Sequence, residues 1–308
     1  MRFPAFGRCA IPAALMLALS GCSSTIHTDE LLSYKVSHPL HIEQYQTADW
    51  YRPGKHQLES LSVIHSDGFI SKGVRLSVAD SKNTVIYYGG SPFRDGENEV
   101  DILGQFAFLG LNVITFKNRG IDSHGTWPSI EQLKQDAEEV FEYSRKKYKN
   151  EFLIVHGTAM SSFLVADIAK EQQLNVNAVV IEGAVTTVQE LVAVKNRFPW
   201  LPKDWLPSSW AAESWLGDAV KPTVKMPKAL HGLDNYQLLT AFDGPVLLLA
   251  AEDDDLVPVE LPQNLYDALP GIKKSLTVVP NADENDLLLH DDSLAAYTMF
   301  VRKYGWDD

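Results

Sequence analysis

Between Phe152 and Lys170 the chain reads as an unbroken apolar run, a five-residue turn Gly157-Thr-Ala159-Met160-Ser161, and then apolar residues at helical spacing from Ser162 onward. A buried run too short for a helix, followed at once by a 3.6-residue period, is a strand entering a helix through a sharp turn. The same alternation recurs along the chain. Leu58 to Val78 alternates around Asp67-Gly68, a hairpin signal. Thr84 to Tyr88, Asn112 to Phe116, Ala178 to Ile181, Pro245 to Ala250 and Ser275 to Val279 read as buried strands. Helical spacing covers Asp101 to Leu109, Ser129 to Tyr148 with Ser129 as N-cap, Leu261 to Leu269 and Asp292 to Tyr304. Buried strands alternating with amphipathic helices imply an α/β fold with a mostly parallel sheet covered on both faces. No internal repeat and no low-complexity tract interrupts this pattern.

The beginning of the chain bears on location. Arg2 and Arg8 precede an 11-residue apolar stretch, Ala10 to Ser20, that ends in Leu19-Ser20-Gly21-Cys22. Eleven residues are too few to span a bilayer as a helix, and the small residues before Cys22 suit a cleaved secretory signal over residues 1 to 21. Leu-Ser-Gly-Cys resembles a bacterial lipobox, which implies removal of the signal, acylation of Cys22 and a lipid anchor. An ordinary signal peptide is the alternative. On the lipobox reading Cys9 departs with the signal and Cys22 is acylated, so neither of the two cysteines is free for a disulfide. The net charge is −13, and loss of Arg2 and Arg8 makes it −15. That balance disfavours nucleic acid and electrostatic attraction to anionic lipid, so a bilayer would be held through the acyl chains on Cys22. By the same resemblance, Ser23 and Ser24 after the cysteine imply the outer membrane, with the domain facing the periplasm. Residues 22 to 57 lack sustained periodicity and read as a tether, with the globular domain over 58 to 308.

Five segments, in order and spacing, resemble the α/β-hydrolase superfamily, nearest its serine aminopeptidase-like and acylesterase-like branch. They are Val85-Ile-Tyr-Tyr-Gly-Gly90, Gly110 to Gly120, the turn around Ala159, Pro245 to Pro258, and Val279 to Asp286. The resemblance implies an α/β-hydrolase fold with a cap insertion over about 187 to 241. In the family's Gly-x-Ser-x-Gly elbow the central serine is the nucleophile, and here that position is Ala159, which has no side-chain oxygen with which to attack. Asp254 matches the triad acid, and the histidine position falls on Glu284. The family's His-Gly becomes Tyr88-Gly89, and of its Asp-x-Arg-Gly only Arg119 and Gly120 remain. The backbone N–H of Met160, with one from Gly90 or Ser91, would form the oxyanion site.

Loss of nucleophile and base together points to binding of a small acyl or peptide-like ligand, or of a protein partner, without cleavage. The competing reading retains ester or amide hydrolysis, with Ser161 or Ser162 attacking and His156 or His290 as base. Against it, Ser161 suits a helix start, Ser162 suits helix packing, and His156 suits a packed core histidine. A third reading makes the domain a spacer on a lipid anchor. Glu252 to Asp255 lacks the alternating ligand spacing of a calcium loop, so the sequence indicates no metal and no cofactor. Trp200, Trp205, Trp210 and Trp215, interleaved with Pro199, Pro202 and Pro207, either line a ligand site or lipid surface or fill the cap's own core.

Overall fold

The computed structural model describes residues 23–25, 42–89, 99–120, 128–195, 223–225 and 227–306. A short helix, α1 (Ile42–Gln46), leads into the hairpin β1 (His56–Ile64) and β2 (Ile70–Val78), whose turn is closed by Asp67 Oδ1 accepting from Phe69 N at 3.0 Å and by Gly68 at φ 88°. Then follow β3 (Asn83–Tyr88), α2 (Glu99–Phe108), β4 (Asn112–Phe116), α3 (Ile130–Lys147), β5 (Phe152–Thr158), α4 (Ser162–Glu171), β6 (Ala178–Glu182) and α5 (Val188–Lys195). The chain closes with α6 (Asn235–Thr240), β7 (Val246–Ala251), α7 (Glu260–Ala268), β8 (Lys274–Val279) and α8 (Asp291–Tyr304). Residues 23–25 pair in parallel with 223–225, apart from the main sheet.

The main sheet has eight strands in the order β8-β7-β6-β5-β3-β4-β2-β1. β2 runs antiparallel to both of its neighbours, and the remaining strands from β3 to β8 are parallel. This is the mostly parallel, helix-flanked sheet that the alternation implies. β5 is buried along its whole length because it has layers on both faces. Leu153 and Val155 face a core completed by α3, α4, α6 and α7, while Phe152 and Ile154 face one completed by α1, α2 and α8. Crossover helices force this arrangement, since a parallel strand must return over one face or the other.

The expected helix ends hold closely at α3. Ser129 caps it, with Oγ accepting from Gln132 N at 3.1 Å while Gln132 Oε1 accepts from Ser129 N at 2.9 Å, and Tyr148 follows its last turn. Tyr45 in α1 is fully buried and packs in the same core as Phe106 and Tyr297, so residues ahead of the expected domain start at Leu58 also pack into the fold. Within the span 187 to 241, where a cap insertion is expected, α5 and α6 are helical, and Trp200, Trp205, Trp210 and Trp215 lie outside the described residues. Among the described residues, no helix is long and apolar enough to cross a membrane.

Candidate active site

The turn after β5 keeps the strained geometry of a nucleophile elbow although its central residue cannot act as a nucleophile. Ala159 has φ 45°, the left-handed region that costs an L-residue about 1–2 kcal/mol. The strain persists because a buried strand ends on one side and α4 begins on the other, joined by a single 3₁₀ turn, Ala159–Ser161. Gly157 makes the close approach possible: a Cβ there would stand 2.8 Å from Ser161 O and 2.9 Å from Val165 Cγ2. Met160, whose N–H would serve an oxyanion site, is buried immediately after the apex. Gly90 and Ser91, expected to supply the second donor, lie outside the described residues.

Asp254 stands after β7, buried, with Oδ1 accepting from Leu256 N at 2.7 Å and Val257 N at 2.6 Å. Gly183, at φ 54° after β6, faces it closely; a Cβ there would lie 3.3 Å from Asp254 Oδ2. Glu284 is half-buried in the loop that follows β8, where the family resemblance places a histidine. Backbone bonds from Glu252 N to Val279 O and Asp253 N to Ala282 O, both at 3.0 Å, hold the loops of Asp254 and Glu284 side by side. The two loops that the resemblance implies for acid and base are therefore neighbours, with a carboxyl group in each.

Of the groups expected as substitutes, Ser161, Ser162 and His156 are buried and His290 is half-buried. Ser161 is 1% exposed and its Oγ has no hydrogen-bond partner among the described residues. Ser162 Oγ accepts from Asn235 Nδ2 at 2.9 Å inside the core. His156 is fully buried in β5 between Tyr87, Phe106 and Tyr297, with ring centroids 5.1 to 5.7 Å away. Its Nε2 lies 2.7 Å from Glu182 Oε1, and its Nδ1 lies 3.3 Å from the Tyr297 hydroxyl. Burial, followed by the nearby Glu182, pushes the Tyr297 hydroxyl well above its ordinary range. His290 is half-buried before α8 and faces Asp286, with Nε2 3.1 Å from Oδ2.

Next to the elbow strand, where Tyr88 pairs with Gly157, a small cleft of about 20 Å³ lies at the ends of β3 and β4. Tyr88, Phe116, Lys117, Asn118, Arg119 and Asp136 are among its lining residues. The C-terminal ends of parallel strands are where open α/β sheets place ligands. Arg119, retained from the family motif, clamps α3 to the hairpin: Nε and Nη2 donate to Asp136 at 2.8 and 2.7 Å, and Nη1 donates to Asp67 at 2.6 Å. The Arg119 hydrogen bond holds the Asp67 carboxyl down at about 2. His65, Asp136 and Glu139 meet beside this clamp, a cluster the sequence reading missed. Its one sequence signal is the i, i+3 spacing of Asp136 and Glu139, which any solvated helix face also shows.

This order of strands around a strained strand-turn-helix is the α/β-hydrolase fold. No protein-family model matches the chain. Among solved structures, an esterase from Pyrococcus furiosus is 16% identical with a TM-score of 0.63, covering 92% of this chain and 99% of that one. A bromoperoxidase from Bacillus anthracis is 15% identical with a TM-score of 0.54, covering 79% of this chain and all of its own, 100%. At the level of sequence, the chain is similar to lysophosphatidylserine lipase ABHD12 of Macaca fascicularis, 25% identical over 195 residues. The matched region is 62% of this chain and 46% of the relative, so the chain spans about half the length of that lipase. The same lipase of Danio rerio is 26% identical over 202 residues, which are 64% of this chain and 50% of the relative.

Proposed function

We propose that this chain is a non-catalytic member of the hydrolase-fold proteins, a lipid-anchored envelope protein that binds a small acyl-bearing ligand without cleaving it. The observation that carries the proposal is Ala159 at φ 45°, the apex of an elbow whose backbone is intact and whose attacking atom is missing. Glu284 supports it: where the resemblance places a histidine the chain has a carboxyl group, which is not an imidazole base. The acyl class is favoured over a peptide by the similarity to lysophosphatidylserine lipase ABHD12. Acylation at Cys22 would fix the domain to the outer membrane, facing the periplasm, where lysophospholipids are within reach.

The test is incubation of the full-length chain with isotopically labelled lysophosphatidylserine, followed by mass spectrometry of the bound and free fractions. Intact lysolipid retained at one per chain, with no fatty acid released beyond the buffer rate, is the expected result. Fatty-acid release that Ser161→Ala abolishes would establish a displaced nucleophile instead. Absence of both binding and release would leave the protein-partner or spacer role.

A further inference from the structure

His65, Asp136 and Glu139 are distant in sequence and meet where the β1–β2 turn lies against α3. Asp136 and Glu139 are three residues apart on one helix, so their carboxylates project from a common face. His65 enters from the hairpin with its side chain 1% exposed, and its Nδ1 lies 2.7 Å from Glu139 Oε2 and 3.3 Å from Asp136 Oδ1. One ligand-type atom from each residue falls within 4.8 Å of the other two. Surrounding contacts hold each of these groups in place, Arg119 Nη2 and Ser66 N donating to the same Asp136 Oδ1 and Glu139 Oε2 that face His65. Ser71 Oγ is 2.7 Å from His65 Nε2, which leaves Nδ1 to face the carboxylates. Arg119 holds Asp136 through two bonds, and Ser66 N and Gln135 Nε2 each donate to Glu139 at 3.2 Å. A hydrogen-bonded far nitrogen on the histidine and hydrogen-bonded carboxylates are the usual outer contacts of a metal site.

We propose that His65, Asp136 and Glu139 bind one divalent transition-metal ion of the Zn²⁺ class, fastening the hairpin to α3 at the rim of the cleft. One imidazole nitrogen with two carboxylate oxygens suits Zn²⁺ better than the all-oxygen sets that Ca²⁺ and Mg²⁺ prefer. Ligand distances of about 2.0–2.2 Å in a tetrahedron put neighbouring ligand atoms roughly 3.3 Å apart. The Nδ1 to Oδ1 separation already has that value, at 3.3 Å, and the 2.7 Å contact to Glu139 has to open by a few tenths of an ångström. Glu139 is 22% exposed, so a water reaches the fourth position from that side. The ion displaces the hydrogen bond between His65 and Glu139, with Nε2–H donating to Ser71 and the Nδ1 lone pair turned to the metal.

The test is calorimetric titration of the chelator-treated full-length chain with Zn²⁺, with Co²⁺ as a spectroscopic probe of the ligands. The expected result is one site per chain, weakened by about 10–100-fold in Ser71→Ala, weakened at least as much in Glu139→Gln, and unchanged in Glu131→Gln at the far end of α3. His65→Ala removes a buried group and can impair folding. Glu139→Gln is isosteric and partly exposed, so it decides the matter by itself. Failure of the wild-type chain to bind Zn²⁺ stoichiometrically, or equal binding by wild type and Glu139→Gln, overturns the proposal and leaves an ion-pair network closed by Arg119.

Discussion

Ala159 spends conformational energy that its side chain does not return through any chemistry. Replacing it with glycine removes the left-handed penalty, so Ala159→Gly is expected to stabilise the chain by about 1 kcal/mol, read from the urea midpoint. A neutral or destabilising result would mean that the turn is not left-handed in solution. Gly157→Ala works in the opposite sense, because the added Cβ meets Ser161 O at 2.8 Å. A cost of about 1–3 kcal/mol is expected from overpacking, with the substituted chain unfolding at correspondingly lower urea. The sequence makes the turn and the alanine at its apex legible, since Gly157-Thr-Ala159 sits between a strand and a helix. It also suggests packing roles for Ser162 and His156 but not their partners: Asn235, Glu182 and Tyr297 lie 26 to 141 positions away in the chain.

At the level of elements, apolar period located the strands of the main sheet and the long helices because most of them are buried on a definable face. β5 runs two residues past His156, because Gly157 and Thr158 continue the parallel register with Ile181 and Glu182. α1 and α6 went unread since five- and six-residue helices do not complete enough turns to show a period. The seam between β1 and α3 carries a pH dependence of its own. The hydrogen bond from Lys147 holds the Glu59 carboxyl below its ordinary 4.5; burial opposes the Lys147 charge most strongly, but the bonds to Glu59, Tyr143 and Tyr148 together outweigh burial and raise it. Glu59 therefore contributes above about pH 4.5 and its contribution fades as pH falls further. Lys147 contributes below its ordinary 10.5 and its contribution is lost as pH rises beyond that. Hydrogen exchange of the Glu59 and Lys147 segments should be slowest between those limits and should lose that protection in high salt. Exchange that is flat across pH 3 to 11 would show that the pair does not form.

For the whole molecule, fold and function separate. The eight-stranded sheet and the strained elbow are those of the α/β-hydrolase fold, while Ala159 and Glu284 stand where the family resemblance places a serine and a histidine. The anchor belongs to the same account: Cys22→Ala should abolish incorporation of an alkyne palmitate analogue and release the protein from the membrane fraction. Labelling that survives the substitution would place the lipid elsewhere or remove it from the account. The most direct test of the central claim is intact-mass analysis of the folded chain after excess fluorophosphonate probe, alongside an active esterase. The account predicts no adduct on this chain under conditions that fully label the esterase. A stoichiometric adduct mapped to Ser161 or Ser162 would contradict it and restore the chain to the hydrolases.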